Sequence, residues 1–299
     1  MSNVLVVDIG TQSMRGIIFD EHGNLLVKEQ IKYKPYLAPE NGFMEQDQQM
    51  YEDAMFGILR TITANHPDFV KDVVAVSVDA FRDTTVLLDE HNKPVRNTIL
   101  WSDQRTADVS KKLPLKQRFL FKLVGMDRAI RAIRRKTKSR WVQQHEPEVW
   151  ARVKKVVCFS AYMNSLLVGK LVDCYASSMG HIPFDNKGKK WMGKHSLLFP
   201  VFDLTVEQVE IPLFAPGEVM GYVTAEAAAK SGLPEGLRVI ASGSDKGCET
   251  IGVGCLERNT ASVSFGTSSS VQFTTDKYFE PEPFMPAYPS VLRGYYNPE

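Results

Sequence analysis

Four cysteines in 299 residues, with no Cys-x-x-Cys pair among them, are too few for a disulfide framework and exclude a zinc ribbon. Free thiols in a reducing compartment are the simplest reading of Cys158, Cys174, Cys248 and Cys255. No run approaches the ~18 apolar residues of a membrane-spanning helix. The opening Met1-Ser2-Asn3-Val4-Leu5 has no basic segment ahead of an apolar core. A cytoplasmic location without membrane contact is therefore expected. Charge of one sign is also missing: 36 Lys and Arg stand against 35 Asp and Glu, so the chain lacks the basic excess of a nucleic-acid binder. The exception is local. Residues 111–140 hold twelve Lys and Arg and one acid, Asp127. Such a block reads either as a solvated helical face balanced elsewhere in the fold or as a site for an acidic partner. A nucleic-acid partner is not expected.

What is present is an ordinary globular composition, 43% hydrophobic and 24% charged, which argues against disorder. The apolar runs 4–8, 14–20 and 25–33 are separated by the polar turns Thr11-Gln12-Ser13 and Glu21-His22-Gly23-Asn24, and predict a three-stranded meander. Asp47 can cap a helix whose apolar residues Tyr51, Ala54, Met55, Ile58, Leu59 and Ile62 step by three and four. Residues 73–78 read as a buried strand, and 84–89 as its pair or its continuation after a bend. Helices are predicted near 104–112, 115–124, 139–145 and 156–168, and again over 225–230 and 248–254. A buried strand is predicted at 239–242, and a further strand at 261–265. No repeat of solenoid period is present.

Four groups of residues carry chemistry. Asp8-Ile9-Gly10-Thr11-Gln12-Ser13 with Arg15 sits at a strand–turn–strand junction. Such a turn can present amide and hydroxyl groups to phosphate, with Asp8 toward a magnesium ion, or it can be only a turn. No Gly-x-x-x-x-Gly-Lys-Ser/Thr motif is present, so it is not a P-loop. Gly243-Ser244-Asp245-Lys246 ends a buried strand ahead of a helix, where open α/β sheets bind ligands. Asp245 there is a general base or a helix cap. Lys246 favours ionised Asp245, reaches an anionic substrate group or points to water. Gly266-Thr267-Ser268 after a strand is a second phosphate cradle or an ordinary hairpin turn. Arg82-Asp83 with Trp101-Ser102-Asp103-Gln104-Arg105 offers the acid, guanidinium and indole of a polyol site, or an ion pair and a core Trp.

The order and spacing of these groups resemble the FGGY family of carbohydrate kinases. Gly42-Phe43-Met44-Glu45-Gln46-Asp47 is similar to that family's Gly-Trp-x-Glu-Gln-Asp, and Lys138-Ser139-Arg140-Trp141 to its Lys-x-x-Trp. Leu167-x-Gly169 with Asp173, Phe184-Asp185 with Trp191, and Pro216-Gly217-x-x-x-Gly221 also match. The resemblance covers nearly the whole chain. It implies an α/β, ribonuclease-H-like domain of the actin/hexokinase-like ATPase superfamily, with a mixed five-stranded sheet flanked by helices. It implies ATP and Mg²⁺ as cofactors and a small-molecule sugar or polyol as substrate. By that resemblance Asp8 organises Mg²⁺, while Thr11, Gln12, Ser13, Arg15, Gly266 and Thr267 meet the phosphates of ATP. Arg82, Asp83, Trp101, Asp103 and Lys246 line the substrate pocket, and Asp245 is the general base.

Three features depart from the family pattern. Phe81-Arg82-Asp83 lacks the Met-His pair of xylulokinases and is nearer to the Gln-Arg-Glu of glycerol kinases, although no match to their substrate tyrosine occurs between 126 and 140. Lys246 stands where a neutral residue is usual. The family's adenosine-binding Gly-Gly-Gly segment is absent. The expected division is therefore a sugar-binding domain over 1–258 and the opening hairpins of an ATP-binding domain over 259–299. The alternative is a catalytically silent fragment that binds sugar or self-associates, for example as a homodimer. Unpaired strand edges are expected around 261–275.

Overall fold

The computed structural model describes every residue except 1, 35, 258, 266–268, 283 and 284. The meander forms as β1 (Asn3–Ile9), β2 (Ser13–Phe19) and β3 (Leu25–Lys32). β1 fully buries alternate residues, Asn3, Leu5, Val7 and Ile9, and half-buries those between them. Helix α1 (Gln48–Asn65) follows its cap: the Asp47 carboxylate accepts the Gln49 N–H at 2.9 Å. The stripe read from the sequence, Tyr51 through Ile62, is the buried face. The next strands are β4 (Val73–Ala80) and β5 (Thr85–Leu88). A helical stretch holds α2 (Leu115–Leu123), α3 (Asp127–Lys136) and α4 (Lys138–His145). Then come β6 (Lys155–Cys158), α5 (Phe159–Val168), the short hairpin β7 (Phe184–Asp185) and β8 (Lys190–Trp191), β9 (Val219–Tyr222), α6 (Ala225–Ser231), β10 (Arg238–Ile240) and α7 (Asp245–Gly252). Two small hairpins finish the chain, β11 (Ser262–Phe265) with β12 (Ser269–Gln272), and β13 (Tyr288–Pro289) with β14 (Tyr296–Asn297).

The main sheet runs β9-β10-β4-β1-β2-β3. β10, β4 and β1 are parallel, and the outer strands are antiparallel to their neighbours. The α/β class with a mixed sheet is as expected, but the sheet has six strands rather than five. The extra edge strand is Val219-Met220-Gly221-Tyr222, too short and too interrupted by glycine to give a clear alternation. A second sheet orders Glu45–Gln46, Thr98–Ile99, β5 and β6.

Two cores result. One fills the space between the main sheet and α1, α5 and α6. The other gathers Phe121, Ile130, Val142, Val156, Ile182, Phe184, Phe199 and Phe202 under the helical stretch. Among the described residues no helix is long and apolar enough to cross a membrane.

The structure departs from the sequence reading at three places. Of the two readings of residues 84–89, pairing with β4 fails: they follow a bend, where Asp83 adopts φ +54 and turns the chain out of the first sheet, and pair with β6. Residues 104–112 are not helical. Their amides are claimed by other partners: Ala107 N–H by the Arg135 carbonyl at 2.8 Å, Asp108 N–H by Gln144 at 2.8 Å and Ser110 N–H by the Asp108 carboxylate at 2.9 Å. The predicted helix at 156–168 starts as β6 and becomes helical at Phe159.

The basic stretch is partly folded inward. Arg140 is buried, pairs with Asp203 at 3.2 Å and donates to the Val201 carbonyl at 3.1 Å. Arg134 donates to the Lys111 carbonyl at 2.5 Å.

Among the described residues β11 and β12 pair only with each other. Phe265 is 83% exposed, Val271 54% and Val263 52%. An open apolar hairpin is a template for a second chain. This chain is expected to self-associate in solution, and the double variant Val263→Lys with Val271→Lys to shift it toward monomer in size-exclusion chromatography with light scattering. An unchanged mass distribution would show that the hairpin is not the contact.

Candidate active site

The parallel strands end at one edge of the sheet, and their register aligns the acids. Asp8 of β1 lies opposite Arg15 of β2 and opposite Asp79 of β4. Cross-strand neighbours share a face, so the three side chains meet. Arg15 donates to the Asp8 carboxylate at 2.6 Å. Asp79 is buried, and one of its carboxylate oxygens has no hydrogen-bond partner. Burial, then the negative charges of Asp8 and Asp245, push its carboxyl up to about 8. At neutral pH Asp79 is therefore largely protonated.

β10 brings the next acid to the same edge. Ala80 bridges Ser244 in parallel, Ser244 caps α7 through the Gly247 N–H at 3.3 Å, and Asp245 opens the helix. Burial raises the Asp245 carboxyl; the Lys246 N–H at 2.7 Å and the Arg82 charge oppose it without cancelling the rise. The Lys246 ammonium donates to Glu249 at 2.7 Å and to Ser264 at 3.0 Å.

Phe81, Arg82 and Asp83 leave β4 across the same edge. Asp83 is held in its left-handed conformation by the 179–181 segment. Its N–H donates to the Met179 carbonyl at 3.3 Å. Its carboxylate accepts the His181 N–H at 2.9 Å and lies 2.8 Å from His181 Nδ1. Gly180, at φ +123, passes so close that a Cβ there would lie 2.6 Å from the Asp83 Cα. Arg82 pairs with Glu299, and its guanidinium stands 4.8 Å from the centre of the Tyr288 ring. Burial opposes the Arg82 charge, but Glu299, Tyr288 and Asp245 together outweigh it and the group is held above its ordinary value. Trp101 Nε1 donates to Thr11 Oγ1 at 3.2 Å, closing the opposite side.

Thr11, Arg82, Asp83, Trp101, Asp245 and Lys246 line one cavity of about 840 Å³. Six residues singled out from the sequence are thus brought together. Asp8, Gln12, Ser13 and Arg15 do not line it; Gln12 is exposed and Ser13 buried. Gly266 and Thr267 lie outside the described residues.

Asp103 is elsewhere. It is fully buried and accepts from Met44 N–H at 2.7 Å, Arg105 N–H at 2.8 Å and Arg105 Nε at 2.9 Å. Lys138 donates to its carbonyl at 2.7 Å. Burial alone would raise the Asp103 carboxyl, but these hydrogen bonds hold it below the usual carboxylate range. Arg105 also reaches Glu45 at 2.8 Å and stacks on Phe43 and Trp141 at 4.0 and 4.6 Å. The Gly-Phe-Met-Glu-Gln-Asp, Trp-x-Asp-x-Arg and Lys-x-x-Trp segments thus meet in a buried ionic and aromatic cluster that fixes loops around the cavity.

Sequence reasoning missed Asp79, His181, Tyr288 and Glu299. Asp79 carried the same signal as Asp8 and Asp245, an acid near the end of a buried strand. His181, Tyr288 and Glu299 had no spacing signal, because only the fold brings them to Asp83 and Arg82.

Residues 3–252 match the model of the N-terminal domain of the FGGY family of carbohydrate kinases. The chain belongs to that family. A xylulose kinase of Lactococcus lactis is 30% identical over 274 residues, 91% of this chain and 53% of the relative. A gluconokinase of Bacillus subtilis is 24% identical, over 92% of this chain and 52% of the relative. The chain spans about half the length of the curated relatives it matches. Among solved structures, a xylulose kinase from Rhodospirillum rubrum superposes with a TM-score of 0.82 at 22% identity, covering 99% of this chain and 59% of that one. The fold is that of the actin/hexokinase-like ATPases.

Kinases of this family use ATP. Among the described residues no cluster of three or more acidic, His or Cys side chains forms a metal cage. Mg²⁺ does not require one, since it is commonly held by one or two carboxylates together with phosphate oxygens and water. The half-buried Asp8 suits that role.

Two outcomes follow from this geometry. Gly180→Ala should lower stability by roughly 1–3 kcal/mol, read by thermal denaturation; a melting temperature equal to the parent's would mean the Gly180–Asp83 approach is not tight. Asp79 ionises near pH 4 when unfolded and near 8 when folded. Its contribution to stability is complete below the lower value and is lost as pH rises through the upper one. In metal-free buffer, Asp79→Asn should therefore melt about 5 °C or more above the parent at pH 9 and show no such gain at pH 4. A gain of equal size at both pH values would mean that ionisation of Asp79 is not its source.

Proposed function

We propose that a protein carrying this chain transfers the γ-phosphoryl group of ATP to a hydroxyl of a small sugar or polyol, with Asp245 as the general base. The observation that carries this reading is the meeting of Asp245, Arg82, Asp83 and Trp101 on one cavity at the ends of the parallel strands. The kinase names of the relatives support it. In this reading Asp83, Arg82 and Trp101 orient the substrate, and the fixed His181–Asp83 contact keeps the acid's acceptor direction constant. Asp245 takes the hydroxyl proton while the oxygen bonds to the γ-phosphorus and ADP leaves with the bond electrons. Thr11, Gln12, Ser13 and Arg15 bind phosphate oxygens, joined by Gly266 and Thr267. Mg²⁺ at Asp8 would neutralise charge on those phosphates. Positioning and charge neutralisation supply most of the rate. The sugar-binding domain occupies 1–258, and 259–299 begins the ATP-binding domain. Unpaired thiols at all four cysteines accord with a cytoplasmic location.

The test is ADP release with Mg-ATP and a panel of polyols, ketoses and sugar acids, made at the length of the relatives. Asp245→Asn should lower kcat at least ~10²-fold, with a smaller effect on KM. Because burial raises the Asp245 carboxyl, the acid limb of kcat/KM should fall off above the ordinary carboxylate value of ~4. Substrate-dependent ADP release unaffected by the substitution would remove Asp245 as base. No turnover of any panel member by folded protein would leave a silent sugar-binding role.

A further inference from the structure

The cavity has two unlike ends. Its polar end is built from the strand ends of the main sheet. Its other wall is the face of the second core, where Met126, Ile133, Ile182, Met192, Leu198 and Phe202 all border the same space. Apolar surface left to water costs about 25 cal/mol per Å², and a ligand that covered only the polar end would leave that wall wet. At about 840 Å³ the cavity lies toward the upper end of the ~300–1,000 Å³ of small-molecule sites.

The charges decide the other half of the question. Among the described lining residues, the carboxylates of Asp83, Asp185, Asp245, Glu280 and Glu299 outnumber the cations of Arg82, Lys187 and Lys246. The cations are already engaged. Arg82 holds Glu299, Lys246 holds Glu249 and Ser264, and Lys187 stands 5.8 Å from the centre of the Tyr278 ring. A substrate carboxylate would have to break one of these contacts and enter a field that is negative on balance. The presence of Lys246 therefore does not make this an acid-binding site.

We infer that the substrate is an uncharged polyhydroxy compound bearing an apolar group, which seats against the Met126–Ile133–Ile182–Met192–Leu198–Phe202 wall while the hydroxyls face Asp83, Arg82 and Asp245. This inference rests on the kinase reading for its polar end only. The apolar group explains why the wall is open to the cavity, and the hydroxyls match acceptors and donors whose directions are already set by His181 and Glu299.

The test is calorimetric titration of this chain, without ATP, using pentitols capped at one end by a hydroxymethyl, methyl, propyl or phenyl group, beside gluconate. Affinity should rise along the series from methyl to propyl by about fourfold per added methylene, with a heat-capacity change that grows more negative. Gluconate should bind more weakly than any neutral member. Met192→Gln combined with Leu198→Gln should flatten the dependence on cap length, and Ile133→Gln, on a different element, should do the same, with melting curves confirming that each variant is folded. A flat or falling series in the parent protein, tighter binding of gluconate than of the neutral members, or no binding by any member would each overturn the inference. ADP release separates the two readings. A rising series without ADP release at the relatives' length would keep the apolar subsite and remove the kinase. Turnover of the bare pentitol with a flat series would do the reverse.

Discussion

Three parallel strands end side by side, and the crowding of carboxylates at those ends is the constraint around which the rest is arranged. Burial and the negative charges of Asp8 and Asp245 make ionisation of Asp79 costly in so confined a space. The structure meets that constraint in three ways. Arg15, directly across the ladder, neutralises Asp8. Asp79 is kept protonated by burial and by its neighbours. Asp245 keeps a raised carboxyl that the Lys246 amide and the charge of Arg82 restrain. The basic carboxylate of Asp245 facing the cavity results chiefly from its burial at that sheet edge. The same crowding makes the fold sensitive to alkaline pH, so chemistry and stability draw on one set of groups.

Around that edge, backbone and side chains are fixed by residues that do not themselves line the cavity. Gln46 donates to the Thr11 carbonyl at 3.0 Å and accepts from the Tyr51 hydroxyl, tying the first turn to α1. Glu45 holds Arg96 at 2.6 Å and Arg105 at 2.8 Å, and Asp47 caps α1. Each member of the Glu-Gln-Asp triplet thus anchors a different element. Asp103 belongs with them. It sits two residues from Trp101, which does line the cavity, and its charge is spent on Arg105 and Lys138. Removing one partner of such a buried cluster leaves an uncompensated charge, which is why such clusters fix geometry more dependably than they add stability.

That division explains what could be read in the sequence. Acids at the ends of apolar runs and a helix cap ahead of a 3.6-residue stripe are local signals, and Asp8, Asp245, Asp47 and the buried face of α1 stand where those signals put them. Asp103 carried the same residue type in a motif beside the site, and nothing local distinguishes a buried ion-pair acid from a ligand acid; only its surroundings do. His181 reaches Asp83 across 98 residues of sequence, and Glu299 reaches Arg82 across 217. Contacts at such separation leave no periodicity. Residues 104–112 had helical composition, yet tertiary hydrogen bonds to Arg135 and Gln144 outweighed a weak propensity. Asp83 turned 84–89 away from β4 through one positive φ, a property that residue type does not encode.

The two cores place different demands on the cavity they share. The polar end is set by strand register, where a shift of one residue in any one strand would turn its Asp8, Asp79 or Arg15 to the other face. The wall from the second core is built on α3, the β7–β8 hairpin and the loop near Phe202, elements that take no part in the main sheet. Its apolar side chains can change in size without moving an acid. The fold therefore separates the groups that must stay in register from those free to vary in shape. A ligand that spans both ends has its hydroxyls positioned by the sheet and its remaining bulk selected by the helical stretch.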